Sequence, residues 1–291
     1  MNYIRFIIEY SSFKGVWLVG KTRKLIYMER QQRILRKALT LVSSQGYLSF
    51  KVTDAAKAAK VSIGTFYSHF DSKGDLIVAL AGMAWRGRLD LFNAVFAKEE
   101  LEASERILVA VFCDFLFSVD HPILFVAEQL AITSEVWHAA SNRHTHVIQL
   151  THEKIISSVA NGARQAINSG GFKTWEDPAA QAQSMDQGLW TLMLGASYIT
   201  HAESTMSEGE LKPVIPQFLI NNCMALYTGY GWLSSNPRDD IHRIAKYCQD
   251  YGHYEQLFSS KTGDPEWDKF MRLARKGVSH MNSEHKKFSH Y

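Results

Sequence analysis

The stretch VTDAAKAAKVSIGTFYSHFDSK (residues 52–73) decides how this chain is read. Its first part, Thr53 to Lys60, is alanine-rich and reads as a short helix. Val61-Ser62 forms a tight turn, and the Ser62 hydroxyl is placed to accept a first-turn N–H of a second short helix, Ile63–His69. Asp71-Ser72 repeats the capping signal and opens a long helix that buries Ile77, Leu80, Ala81, Ala84, Leu91, Phe92 and Val95. Upstream, between Arg30 and Gln45, Ile34, Leu35, Ala38, Leu39, Leu41 and Val42 share one face, with Arg33, Arg36 and Lys37 opposite. Gly46 then supplies a stop. Three short helices in about 40 residues, the last two joined by a tight turn, are the arrangement that sets a recognition helix in a DNA major groove.

The side chains of Ile63–His69 suit that task. Gly64 and Thr65 are small and allow close approach to base edges. The Thr65 hydroxyl donates or accepts, and Ile63 matches a thymine methyl. Tyr67 and His69 carry polar tips suited to phosphate oxygens. Lys73 lies in the first turn of the next helix, where its charge and the free N–H groups both favour phosphate. Phe66, Phe70, Ala55, Ala56 and Ala59 are expected to form the small core.

Residues 52–73, followed by Gly-Asp-Leu, resemble the signature of the tetracycline-repressor-like (TetR) regulators over roughly Gln31 to Leu80. The spacing through Val-Ser, Gly-Thr-Phe-Tyr, His-Phe and Ser-Lys all agrees. The resemblance implies base contacts from Gly64 and Thr65 and phosphate contacts from Tyr67, His69 and Lys73. With Lys51, Thr53, Ser62 and Ile63 these make up the expected DNA-facing set. Two positions depart from the family pattern. Lys60 stands where glycine is usual, so a positive φ there would be strained. Lys51 replaces a capping threonine, leaving Ser49 as an alternative cap.

Charge is divided unevenly. Lys21 to Lys73 holds 11 basic and 3 acidic residues, an excess of 8, which with +3 overall leaves the remainder near −5. A basic module on an acidic body is what phosphate binding by one domain requires. Cys113, Cys223 and Cys248 are scattered and odd in number, which argues against a disulfide framework or zinc ribbon and suits a reducing cytoplasm. No run approaches the ~20 apolar residues of a membrane span. Residues 1–27 make a poor signal peptide, and Met28 is an alternative start. The expected domains are an N-terminal extension (1–27), the helix-turn-helix domain (28–75), a helical ligand-binding and dimerisation domain (76–236) and a C-terminal extension (237–291).

Beyond Ala97 amphipathic helices are expected at Glu102–Ser118, Pro122–Ala131, Glu135–Asn168, Pro178–Glu203 and Pro216–Trp232, with strand alternation nowhere sustained. The fold class is all-α. Two further helices are read after Asn236-Pro237, over Asp239–Phe258 and after Asp264-Pro265. The resemblance implies a homodimer formed through the last two helices of the regulatory domain, with Leu189, Leu192, Met193, Ala196, Leu219, Cys223 and Leu226 as interface and Gly188 and Gly195 allowing close approach. Such a dimer would read a palindromic operator. The resemblance also implies an inducer pocket, for which Trp85, Phe112, Phe115, Trp137, Trp190 and Tyr198 are the aromatic candidates. Repression relieved by a small-molecule inducer, through population shift, is the expected mechanism.

Enzyme signatures are missing: there is no P-loop, GxGxxG, GxSxG or HExxH, and no catalytic residue, cofactor or metal ligand is assigned. His138, His144, His146 and His152 do not pair at helical ligand spacing. A nucleoid-organising protein that senses nothing shares the motif, and genome-wide footprinting separates it from a regulator of discrete operators.

Overall fold

The computed structural model describes residues 19–250 apart from residue 208. Most of the 1–27 extension, the end of the Asp239–Phe258 helix and the helix expected after Asp264-Pro265 lie outside them. Eleven helices are found among the described residues: α1 Val19–Ser49, α2 Val52–Ala58, α3 Ile63–His69, α4 Lys73–Phe96, α5 Ala103–Asp120, α6 Pro122–Ala131, α7 Ser134–His138, α8 Asn142–Asn168, α9 Pro178–Met206, α10 Gln217–Gly229 and α11 Pro237–Gln249. The only extended pairing among these residues is an isolated bridge between Phe172 and Trp232.

The chain forms two compact units, whose described parts are 19–83 with 123–146, and 84–122 with 147–250. The first unit thus runs past the expected boundary at 75/76 and takes in α6 and α7. In this unit α1 packs on α2, and α2 on α3. Ile34, Leu35, Ala38, Leu39 and Val42 of α1 are buried with Ala55, Ala56, Ala59, Phe66 and Phe70, as the apolar spacing requires. Gly46 interrupts α1 at φ 75° and ψ 163°, a left-handed backbone that glycine adopts without a Cβ penalty. Tyr47, just after it, is buried and donates its hydroxyl to the Ile123 carbonyl at 2.9 Å.

The single helix expected over Glu135–Asn168 is broken into α7 and α8. The cause is a set of hydrogen bonds that capture the intervening backbone. Ser72 Oγ donates to the Ala139 carbonyl at 2.6 Å, and the Ser141 N–H and hydroxyl both donate to Asp75 Oδ1, at 2.9 and 2.8 Å. Gly74 permits the approach, since a Cβ there would lie 3.2 Å from Ala139 Cβ and 3.3 Å from the Val136 carbonyl.

In the second unit α5 is buried almost around its whole circumference, from Ile107 to Val119. It packs against α9 and α11, and α10 packs against both of those. Asp177 caps α9 ahead of Pro178, accepting from the N–H groups of Ala179 and Ala180 at 2.9 and 3.0 Å. Ile241, Ile244, Ala245 and Cys248 form the buried stripe of α11. The three cysteines are free thiols and all are buried in this unit.

Candidate nucleic-acid interface

The turn into α3 is built by backbone chemistry that the sequence announces. Lys60 has φ 54°, the only positive φ among the described non-glycine residues. That conformation lets the Val61 N–H return to the Ala56 carbonyl at 3.0 Å. Arg33 Nε closes the end of α2 by donating to the Ala59 carbonyl at 2.9 Å. Ser62 Oγ accepts from the Thr65 N–H at 3.0 Å and lies 2.8 Å from the Thr65 hydroxyl. The expected N-cap is therefore in place. At α2, Lys51 occupies the cap position with no side-chain cap hydrogen bond, so Ser49 does not cap it.

Helix α3 has two unlike faces. Outward stand Ile63 (43% exposed), Gly64 and Tyr67 (48% exposed), with Thr65 half-buried beside them. Lys51 and Thr53 at the start of α2 and Ser62 in the turn are exposed as well. Nothing inside the protein demands glycine at 64: a Cβ there would meet only Ser62 Oγ, at 3.9 Å. Inward, Phe66, His69 and Phe70 are fully buried.

Two expected contacts are placed differently. His69, read from the sequence as a phosphate ligand, is 0% exposed and stacks on the Tyr27 ring, with centroids 4.0 Å apart. Neither ring nitrogen has a hydrogen-bond partner among the described residues. Burial, and then the nearby charges of Arg30 and Arg143, lower its pKa from 6.5 to about 4, so the ring is neutral at pH 7 and cannot reach a phosphate from this position. The helical register explains this: His69 lies three residues from Phe66 and shares its face. Lys73 is turned back on the protein, donating to the Leu48 carbonyl at 3.1 Å, with its ammonium 4.8 Å from the Phe50 ring centre. Partial burial lowers its pKa.

A buried polar cluster behind α3 was not legible in the sequence. Asp75 Oδ1 accepts from Ser141 and from His144 Nδ1, the latter at 2.8 Å, while Oδ2 accepts from the Asp71 N–H at 2.9 Å. Burial pushes the carboxyl pKa up, but the hydrogen bond and charge of His144 and the two backbone N–H groups outweigh it, leaving about 2. His144 Nε2 in turn lies 3.0 Å from Gln31 Nε2. The only sequence signal was an acid at the third position of α4, which reads equally well as a helix-start charge. Arg143, also missed, reaches the end of α3.

The regulatory residues fall into different settings. Leu189, Met193, Ala196, Leu219 and Cys223 are buried within the single chain, so these five form intramolecular core and not an exposed interface. Leu192 and Leu226 are half-buried and line an open groove of about 730 Å³ between α9 and α10, with Gly188, Thr191, Asn222 and Ala225. Gly188 meets Leu226 and the Tyr230 hydroxyl of its own chain, whereas Gly195 faces open space. The six aromatic candidates line none of this groove. Phe112 and Phe115 are core, Trp85 is half-buried with its ring edge against His152, and Trp190 and Tyr198 are about half exposed. Trp137 belongs to the other compact unit. No group of three or more metal-ligating side chains occurs among the described residues, and no single described helix is long and apolar enough to cross a membrane.

Residues 34–80 match the family described as bacterial regulatory proteins, tetR family. The HTH-type transcriptional regulator AcrR of Shigella flexneri is 37% identical over 86 residues, covering 28% of this chain and 40% of that protein. The uncharacterized HTH-type transcriptional regulator YerO of Bacillus subtilis is 24% identical over 106 residues, 35% of this chain and 37% of that protein. The chain thus spans about two fifths of the length of these relatives. Among solved structures, a gamma-butyrolactone receptor (ArpA-like protein) aligns with 76% of this chain and 98% of its own at 17% identity and a TM-score of 0.48. The reduced form of NemR from E. coli aligns with 70% and 100% at 19% identity, also with a TM-score of 0.48.

Proposed function

From a chain whose residues 34–80 are a tetR-family helix-turn-helix domain, we infer a transcription regulator that binds a specific DNA sequence as a two-fold dimer. The observation that carries this reading is the outward face of α3. Ile63, Gly64, Thr65 and Tyr67 are presented together on a helix whose inner face is sealed, and Gly64 leaves room that the protein itself does not need. Small and amphipathic side chains in that arrangement suit base edges and thymine methyls, and Tyr67 suits a phosphate. Lys51 and Thr53 stand exposed at the start of the preceding helix, where backbone contacts position the reader.

The second copy is proposed to sit on the exposed faces of α9 and α10. Trp190 (52% exposed), Ile199 (48%) and Phe218 (37%) are large apolar groups there, and Gly195 opens the surface of α9. A two-fold pair would set recognition helices about 34–36 Å apart and read a palindrome. Repression, and release by a small-molecule inducer that prefers the wrongly spaced dimer, complete the proposal.

The test is a mobility shift with DNA upstream of the protein's own gene, across a salt series, with Tyr67→Ala beside the wild type. Selective binding that weakens with salt and is lost in the variant is the expected result. Equal binding to all DNA by both proteins would overturn the regulator reading. Sedimentation at micromolar concentration checks the dimer, with Trp190→Glu expected to yield monomer.

A further inference from the structure

We propose that Arg143, at the start of α8, is a positioning residue that fixes the C-terminal end of the recognition helix. The last carbonyls of a helix have no partner inside it, and a cation is favoured there. In α3 these groups are served from outside. Arg143 Nη2 donates to the His69 carbonyl at 2.5 Å, and Tyr27 donates its hydroxyl to the Ser68 carbonyl at 3.2 Å. The two caps are joined, since Arg143 Nη1 donates to the Tyr27 oxygen at 2.6 Å. Below them the Tyr27 ring covers His69. The guanidinium is held in turn by Asp75, 3.9 Å away, and by the Ser141–Asp75–His144 bonds that anchor the first turn of α8.

A planar fork that meets two acceptors at once is something arginine supplies and lysine does not. The start of α3 is fixed by the Ser62 cap, so the hold on its far end sets how Ile63, Gly64, Thr65 and Tyr67 are aimed. Arg143 therefore contributes to sequence selectivity without touching DNA. This role rests on the regulator reading above.

The experiment compares full-length wild type, Arg143→Met, Arg143→Lys and the milder Tyr27→Phe. Two readouts are taken: amide hydrogen exchange at residues 66–70 without DNA, and the ratio of operator to random-DNA affinity across a salt series. Arg143→Met is expected to exchange about tenfold faster at these amides and to lose about tenfold in that ratio, with the salt slope unchanged. Lysine should not restore either, and Tyr27→Phe should show a smaller change in the same direction. A salt slope reduced by about one with lysine restoring affinity would make Arg143 a phosphate ligand and overturn the proposal. Unchanged exchange in both Arg143→Met and Tyr27→Phe would overturn the clamp itself. Faster exchange in a protein whose wild type shows no selectivity would instead overturn the regulator reading beneath it.

Discussion

The outer and inner faces of α3 are opposite sides of one seven-residue helix, yet they answer to different demands. The inner face, Phe66, His69 and Phe70, is sealed against α1, α2 and the Arg143–Asp75 cluster, and its residues are set by packing. The outer face has almost no internal obligations: a Cβ on Gly64 would meet only Ser62 Oγ, at ordinary contact distance, and Ile63 and Tyr67 stand about half exposed. Stability and the recognition proposed above are thus divided between two sides of seven residues, and substitutions are expected to move one without the other.

The largest effect should come from the inner face. Phe66→Ala removes a fully buried ring and is expected to cost about 3–5 kcal/mol in denaturant unfolding, with DNA binding lost only as the folded fraction falls. If binding by the folded fraction also fails, the two faces are less separate than the geometry shows.

His69 comes next, because its burial has a pH signature. Its folded-state pKa of about 4 lies below the ordinary 6.5, so the unfolded chain binds more protons between those values. Stability is full above pH 6.5 and falls on acidification towards pH 4, with a slope of up to about 1.4 kcal/mol per pH unit. His69→Phe keeps the stack on Tyr27 and should flatten that window in a series of urea melts. A wild-type curve already flat from pH 6.5 to 4 would mean that His69 is not buried neutral.

On the outer face, Gly64→Ala should leave folding intact or raise stability by up to about 1 kcal/mol, since alanine is the better helix former. Operator affinity is nonetheless expected to drop roughly tenfold, equivalent to about 1.4 kcal/mol. Unaltered operator binding would remove close approach at residue 64 from the account. The smallest change is at the turn: Lys60→Gly relieves a left-handed residue at φ 54° and should raise stability by about 1 kcal/mol, measured by thermal melting.

The helix-turn-helix was readable because its determinants are local. Ser62 and Thr65, Phe66 and Phe70, and Lys60 in its turn are tied by spacings of a few residues, and the strain anticipated at Lys60 is present. Asp75 and His144 lie 69 positions apart, Arg143 and His69 74, and no periodicity links such partners. The stripe Leu189, Met193, Ala196 was correctly apolar, but an apolar stripe announces burial without saying against what. It is covered by the same chain, and the exposed face of α9 is the adjoining one, with Trp190 and Ile199. The aromatic residues expected to line a pocket carry the same ambiguity: Phe112 and Phe115 lie on α5, buried continuously from Ile107 to Val119, and being aromatic and apolar does not distinguish a pocket wall from core.

The placement of the cysteines has a practical use. Cys113, Cys223 and Cys248 are all buried in the unit formed by residues 84–122 and 147–250, and the described part of the other unit contains none. Buried thiols react only when their surroundings open. A pulse of thiol reagent therefore reads the opening of that one unit, while a cysteine introduced at Tyr67 would carry a fluorescent label on the exposed face of α3, where DNA is proposed to bind, without removing any native thiol.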